Sequence, residues 1–312
     1  MILSKPNHIK IYGHRGARGD LPENTLESFK YLFENNINAY ETDILISKDL
    51  VPVIAHDFRL DPSRTKDNEG NWIEDENLKI FDLTYAELSK FDVGSVNKLS
   101  RYGRRFINQK KLENQRIPKL SELLEMSSKN KSEKLLINLE IKSTPEEENL
   151  TPEPEDTVKL IMNDINESSL KDKIIVSSFD WRTLSVIKNQ YPEIPRAYLT
   201  QHLTGININQ TIYNRSPWLS FLPYYEDHEL PKIIKSQGGK AWHPYRKDIT
   251  KKLVDISHQE ELPVNVWTVN KEYEMLKMVE YGVDGIMTDY PLRLKELLSL
   301  IHISEPTRQV QI

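Results

Sequence analysis

A chain of 312 residues with 38% hydrophobic and 29% charged side chains can bury one large core or two modest ones, and nothing in its composition suggests wholesale disorder. The formal net charge of -5 mixes both signs, which argues against a nucleic-acid binder built on a broad basic face and leaves a small or phosphorylated metabolite as the expected partner. With no cysteine, disulfides, thiolate zinc sites and cysteine nucleophiles are excluded, so His, Asp and Glu must carry any chemistry.

The opening stretch MILSKPNHIKIYGHRG has no basic region followed by an apolar run of signal-peptide length. No later run approaches the roughly 18 to 20 apolar residues of a membrane span. A cytoplasmic protein is expected, or a periplasmic or secreted one if a leader lies upstream; no oligomeric state is implied. Short apolar, β-branched or aromatic runs recur at 8–13, 39–47, 51–56, 135–142, 173–179, 195–200, 240–245, 263–269 and 284–289. Amphipathic stretches at 26–33, 158–165, 182–189, 253–260 and 272–281 lie between most of them. Strand alternating with helix predicts a parallel sheet and, at this length, an α/β fold of the TIM (β/α)8 barrel type with a small inserted subdomain. Nine candidates for eight barrel places mean that one, 51–56 or the strand before it, pairs irregularly.

The first strand runs into GHRGARGDLPENT, residues 13–25. Asn24 there reads as the N-cap of the first helix, with Glu27 completing a capping-box pattern and Leu26, Phe29, Leu32 and Phe33 forming the buried stripe. The rhythm fails over 58–118, a turn-rich, charged segment that follows His56 and Asp57 directly and reads as a lid or substrate-selecting insertion. A second acidic stretch, STPEEENLTPEPED, reads as a surface loop. At the far end LSLIHISEPTR, 298–308, breaks the helical pattern of PLRLKELL and matches the translation of a transposase-type sequencing adapter. Residues 1–297 are therefore expected to form the domain, and 298–312 a read-through tail excluded from functional reasoning.

The polar residues that apolar strands should not carry point to chemistry. Side chains alternate faces along a strand, so Glu41 and Asp43 of YETD share one face, as do Glu140 and Lys142 of LEIK. Three carboxylates against one lysine, if all look into one barrel, leave an excess of negative charge that a hard divalent ion would neutralise. Oxygen-only ligation suits Mg²⁺ or Ca²⁺, with Mn²⁺ also compatible. His14 and His56 follow or end strands, where catalytic side chains of a parallel barrel collect, and two imidazoles can divide acid and base roles. Arg15 offers a planar fork to a phosphate oxygen, and Lys142 a point charge; an ion pair from Arg15 to Asp20 or Glu23 is the structural alternative. Trp267 and Phe179 sit at strand ends, as core or as pocket wall.

In chain order, GHRG, PENT, YETDI, VIAHD, LEIK, VSSF, VWTVN and DGIMTDYP resemble the glycerophosphodiester phosphodiesterase family from Tyr12 to about Leu297. The resemblance implies a TIM barrel with an insertion, a bound divalent metal, and hydrolysis of glycerophosphodiesters to glycerol 3-phosphate and an alcohol. It makes His14 and His56 the acid/base pair and Glu41, Asp43 and Glu140 the metal ligands. Arg15 and Lys142 become phosphate contacts, and Trp267 an aromatic lining the pocket. The alternatives are a related barrel phosphodiesterase acting on lysophospholipids or phosphoinositides, and a non-catalytic phosphodiester-binding protein.

Overall fold

The structure is a computed structural model that describes residues 9–147, 149–202, 211–223 and 226–304, the last three by backbone alone. Its strands are β1 (Lys10–His14), β2 (Ala39–Ile46), β3 (Pro52–Ile54), β4 (Leu136–Ile141), β5 (Ile174–Ser178), β6 (Arg196–Thr200), β7 (Ala241–Pro244), β8 (Asn265–Val266) and β9 (Gly285–Thr288). Eight of them run parallel in the order β7-β6-β5-β4-β2-β1-β9-β8. Parallel bridges Trp242↔Val264 and Tyr245↔Trp267 join β7 to β8, so the sheet nearly closes into a barrel. Eight of the nine sequence-read runs contain one of these strands, and the run 8–13 stops one residue short of the end of β1.

The helices are α1 (Leu26–Glu34), α2 (Tyr85–Leu88), α3 (Arg101–Arg105), α4 (Leu120–Ser128), α5 (Pro154–Glu167), α6 (Trp181–Gln190), α7 (Leu230–Ser236), α8 (Lys251–Gln259), α9 (Glu272–Tyr281) and α10 (Pro291–Ser304). Alternation along the strands divides the core into two layers. Tyr40, Ile44, Ile137, Leu139 and Ile141 belong to the large cluster shared with helix residues such as Phe29, Leu32 and Ile161. Tyr12, Ala39, Phe179, Leu199, Trp267 and Met287 make a second cluster, inside the barrel. Among the described residues no helix is long and apolar enough to cross a membrane.

β3 is the irregular strand. It pairs antiparallel with β2, Ile44 opposite Ile54, while the Ala55 amide donates to the Asp43 carbonyl at 3.1 Å. The chain thus turns back along β2 and returns His56 to the level of Asp43. Residues 58–118 pack on this hairpin through a core of their own, with Leu60, Ile73, Ile80, Leu88 and Ile117 against Leu45 and Val53. The insertion is therefore a packed subdomain.

Two local readings are corrected. The N-cap of α1 is Thr25, whose hydroxyl accepts from the Ser28 amide; Asn24 lies one residue earlier at φ +56°, a left-handed conformation that Asn tolerates. The helical pattern does not break at Leu298: α10 runs on to Ser304, and Leu298 is buried. Residues 305–312 of the expected tail lie outside the described residues.

The His258 imidazole of α8 bonds Asp284 through Nε2 at 2.8 Å, and that hydrogen bond raises its pKa above the usual 6.5. A base raised on folding stabilises fully below its unfolded pKa, and the contribution disappears as pH rises through the folded one. His258→Gln is accordingly expected to lower the urea midpoint more at pH 5.5 than at pH 8.5; equal losses at both would show that the ion pair contributes nothing.

Candidate active site

Strand register assembles the site. His14 stands beside Glu41 across β1 and β2, and Asp43 beside Glu140 across β2 and β4. Ligand atoms of Glu41, Asp43 and Glu140 all lie within 4.8 Å of one another, and all three residues are buried. Two cations face them. Lys142 Nζ bonds Glu140 at 2.7 Å and lies 3.8 Å from Asp43. The Arg15 guanidinium is held by Glu23 at 3.0 Å and by Asp43 at 3.2 Å, so the alternative ion pair to Glu23 is real and coexists with the carboxylate cluster.

Charge inside the cluster is uneven. Burial, with Asp43 and Glu140 beside it, pushes the Glu41 carboxyl well above its usual range. Against the same burial, Arg15, His56 and Lys142 draw Asp43 down to about 2. Glu41 Oε1 and Asp43 Oδ1 are buried with no hydrogen-bond partner among the described residues. Orphaned buried acceptors are costly, and three converging carboxylates with unused oxygens are the donor set of a hard divalent ion. The residues present therefore fit such a metal.

Both histidines are anchored by the same device. His14 Nδ1–H donates to Asp289 Oδ1 at 2.7 Å, and His56 Nδ1–H donates to Asp57 Oδ1 at 2.5 Å. Because an ionised carboxylate only accepts, each Nδ1 carries the proton and each Nε2 keeps its lone pair. His14 Nε2 lies 3.7 Å from Glu41 Oε2. Burial, helped by Arg18, brings the His14 pKa down to about 4; burial, Arg15 and Lys142 lower that of His56. Without substrate, both rings are thus neutral with Nε2 open to take up a proton.

Of the supporting groups, Glu23 was read from the sequence as a partner of Arg15, while the roles of Asp289, Arg18 and Arg64 were not. Asp289, at the end of β9, accepts from Arg18 at 2.8 and 3.0 Å and from Asn270 at 2.6 Å. Although burial opposes it, Arg18 and the His14 hydrogen bond hold this carboxyl well below its usual range. Glu23 gathers Arg15, Arg18, Arg64 and the Tyr102 hydroxyl, while Arg64 also pairs with Asp57. Asn24 donates to Asp43 Oδ2 at 3.0 Å and accepts from Thr42. PENT is therefore part of the site's support as well as a helix start. Gly16, at φ +83°, makes the turn possible: a Cβ there would meet the Ser28 hydroxyl at 2.4 Å. The one signal that could have found Asp289 was a carboxylate at the end of the apolar run DGIMTD.

These groups open into a cavity of about 740 Å³ whose walls include Trp267, Phe179 and Tyr245 on one side and Arg101 and Arg105 of α3 on another. Trp267 packs edge-on against Phe179 at 5.3 Å, and its indole N–H donates to the His243 carbonyl at 2.8 Å. Asn138, the register partner of Glu41, lines the same cavity, and neither of its amide atoms has a hydrogen-bond partner among the described residues. Six of the eight sequence-read site residues line this cavity, His14, Arg15, Glu41, His56, Glu140 and Trp267, and Asp43 and Lys142 join them through ion pairs to Arg15 and Glu140.

Residues 14–293 match the model of the glycerophosphoryl diester phosphodiesterase family. A glycerophosphodiester phosphodiesterase of Bacillus altitudinis is 28% identical over 294 residues, covering 91% of this chain and 96% of its own. A solved structure from Silicibacter pomeroyi, assigned as a glycerophosphoryl diester phosphodiesterase, superposes with a TM-score of 0.84 at 33% identity, covering 94% of each chain. An Oleispira antarctica phosphodiesterase, solved with its product sn-glycerol 3-phosphate, shares the fold with a TM-score of 0.69 at 24% identity, covering 93% of this chain and 96% of that one.

Proposed function

We propose that this chain, which belongs to the glycerophosphoryl diester phosphodiesterase family, hydrolyses glycerophosphodiesters to sn-glycerol 3-phosphate and an alcohol, using a divalent metal and two histidines as acid and base. The observation that carries this reading is the pair of imidazoles, each with Nδ1 tied to a carboxylate, placed about three convergent carboxylates. Binding alone would not need paired proton-transfer groups, so the arrangement argues against a non-catalytic binder.

Glu41, Asp43 and Glu140 would hold the ion, Mg²⁺ or Ca²⁺ and less obviously Mn²⁺. Such an ion supplies Lewis-acid stabilisation of charge on a phosphoryl oxygen. Arg15 and Lys142, freed in part from the carboxylates they now neutralise, grip the phosphate and offset its growing negative charge. One imidazole takes a proton at Nε2 from the nucleophile, which is water or the glycerol 2-hydroxyl acting through a cyclic phosphate. The other must enter this step as imidazolium, protonated at Nε2 as well as Nδ1, and gives the Nε2 proton to the departing alcohol oxygen. Trp267 provides an apolar wall for the carbon skeleton of the substrate. A coupled assay for glycerol 3-phosphate released from glycerophosphocholine tests the proposal; no turnover with Mg²⁺, Ca²⁺ or Mn²⁺ across choline, ethanolamine and glycerol diesters would overturn it.

Asp289 acts through His14 by fixing its tautomer and ring plane. Asp289→Asn keeps the shape but lets the amide donate, which favours the wrong tautomer. A fall in kcat of about 10²-fold with little change in KM is expected. A KM effect alone would show that Asp289 only shapes the cavity.

A further inference from the structure

Within the insertion, residues 97–112 carry six basic side chains, Lys98, Arg101, Arg104, Arg105, Lys110 and Lys111, and no acidic one, in a chain whose formal net charge is -5. All six are exposed. Two aliphatic side chains on the same segment are exposed as well, Leu99 at 85% and Ile107 at 46%.

The local structure makes this a fixed ledge. Ser100 caps α3 by accepting from the Gly103 amide at 2.8 Å. The inner face of the helix turns Tyr102 and Phe106 inward with ring centroids 4.9 Å apart. Phe106 lies 5.1 Å from the Arg18 guanidinium, and the Tyr102 hydroxyl donates to Glu23. With that face committed, helical periodicity leaves Arg101, Arg104 and Arg105 pointing outward. After the helix, Gln109 donates to the Arg18 carbonyl at 2.7 Å and the Lys110 amide to the Asp20 carbonyl at 2.9 Å. The ledge thus stands on the loop that carries His14 and Arg15, and its Arg101 and Arg105 reach the cavity wall. Countercharge is sparse: Lys111 pairs with Glu113 at 3.3 Å, and Arg105 lies 3.6 Å from Asp289.

We infer that this ledge docks the mouth of the cavity onto an anionic lipid bilayer. A cluster of Lys and Arg is drawn to anionic headgroups, each residue adding to the attraction. Exposed aliphatic side chains interleaved with the charges fit the boundary between headgroups and acyl chains, where water leaves them. A soluble polyanion would engage the charges and have no use for Leu99 and Ile107. The ledge places the cavity mouth against the surface from which glycerol-phosphate diesters derive, but the docking itself needs no catalysis.

The test is co-sedimentation of the full chain with phosphatidylcholine vesicles, plain or doped with phosphatidylglycerol, at physiological salt. Binding is expected on the doped vesicles only. The double variant Lys98→Glu/Arg104→Glu should weaken it by about tenfold or more. The charge-preserving variant Leu99→Ser/Ile107→Ser should also weaken it, by several-fold, while retention on heparin stays as in the wild type. None of these four side chains lines the cavity, so turnover of water-soluble glycerophosphocholine should not change in either variant. Failure of the wild type to bind doped vesicles overturns the inference. So does equal vesicle binding by Leu99→Ser/Ile107→Ser and the wild type, which would make the ledge a general polyanion surface. Far-ultraviolet circular dichroism of each variant excludes loss of fold as the cause.

Discussion

His14→Ala is expected to lower kcat for glycerophosphocholine by about 10²- to 10⁴-fold, and His56→Ala to do the same, with thermal unfolding close to that of the wild type. The stability half of this expectation follows from what each ring leaves behind. Without His14, Asp289 still accepts from Arg18 at 2.8 and 3.0 Å and from Asn270, so no buried carboxylate is orphaned. Without His56, Asp57 keeps Arg64. The chemical half follows from the loss of Nε2, the atom through which each ring takes or gives a proton. Because the two rings serve one reaction, the double variant should lose much less than the product of the single losses. Near-normal turnover in either single variant would sink the acid/base assignment; losses that track falling melting temperature would move the effect to folding.

Dialysis against EDTA is expected to abolish turnover, and Mg²⁺ or Ca²⁺ to restore it. The same site should make metal-free protein gain stability when a ligand is neutralised. Glu41 is pressed by two carboxylates in a buried place, and one of its oxygens has no hydrogen-bond partner among the described residues. Glu41→Gln removes the charge that the cluster resists most. It should stabilise the chelated protein by the order of 0.5–2 kcal/mol, read as a higher melting temperature, while leaving no activity for added metal to rescue. In wild type, added metal should raise the melting temperature in a concentration-dependent way. Metal-insensitive turnover, or a Glu41→Gln protein that is both less stable without metal and fully active with it, would refute the ligand set.

The barrel was legible because each strand is an apolar run with its own period, and eight such runs with helices between them leave few other topologies. The three converging carboxylates were legible for the opposite reason: Glu41, Asp43 and Glu140 interrupt runs that burial should keep apolar. Their support was legible only in the pairing of Arg15 with Glu23. Asp289 meets His14 across 275 positions of sequence, a contact that exists only once β9 lies beside β1. Asn24 looked like a cap because Asn caps well; that Thr25 takes the role depends on a left-handed turn whose side-chain target, Asp43, is 19 residues away. The short helices α2 and α3, of 4 and 5 residues, offer too few turns for periodicity to register. A reading of charge by segment, in place of charge by chain, would have brought out the ledge at 97–112.

The hydrogen bond between His14 and Asp289 joins the first barrel strand to the last. During synthesis, all other members of the site leave the ribosome before residue 289 does. Until that residue arrives, His14 has no partner to hold its tautomer and Arg18 has only Glu23 to face. Catalytic competence is therefore acquired late and in one step, and it reports that the chain has been made through to its final strand. A nascent chain stalled with Asp289 still inside the exit tunnel should be silent in the assay that the released protein passes.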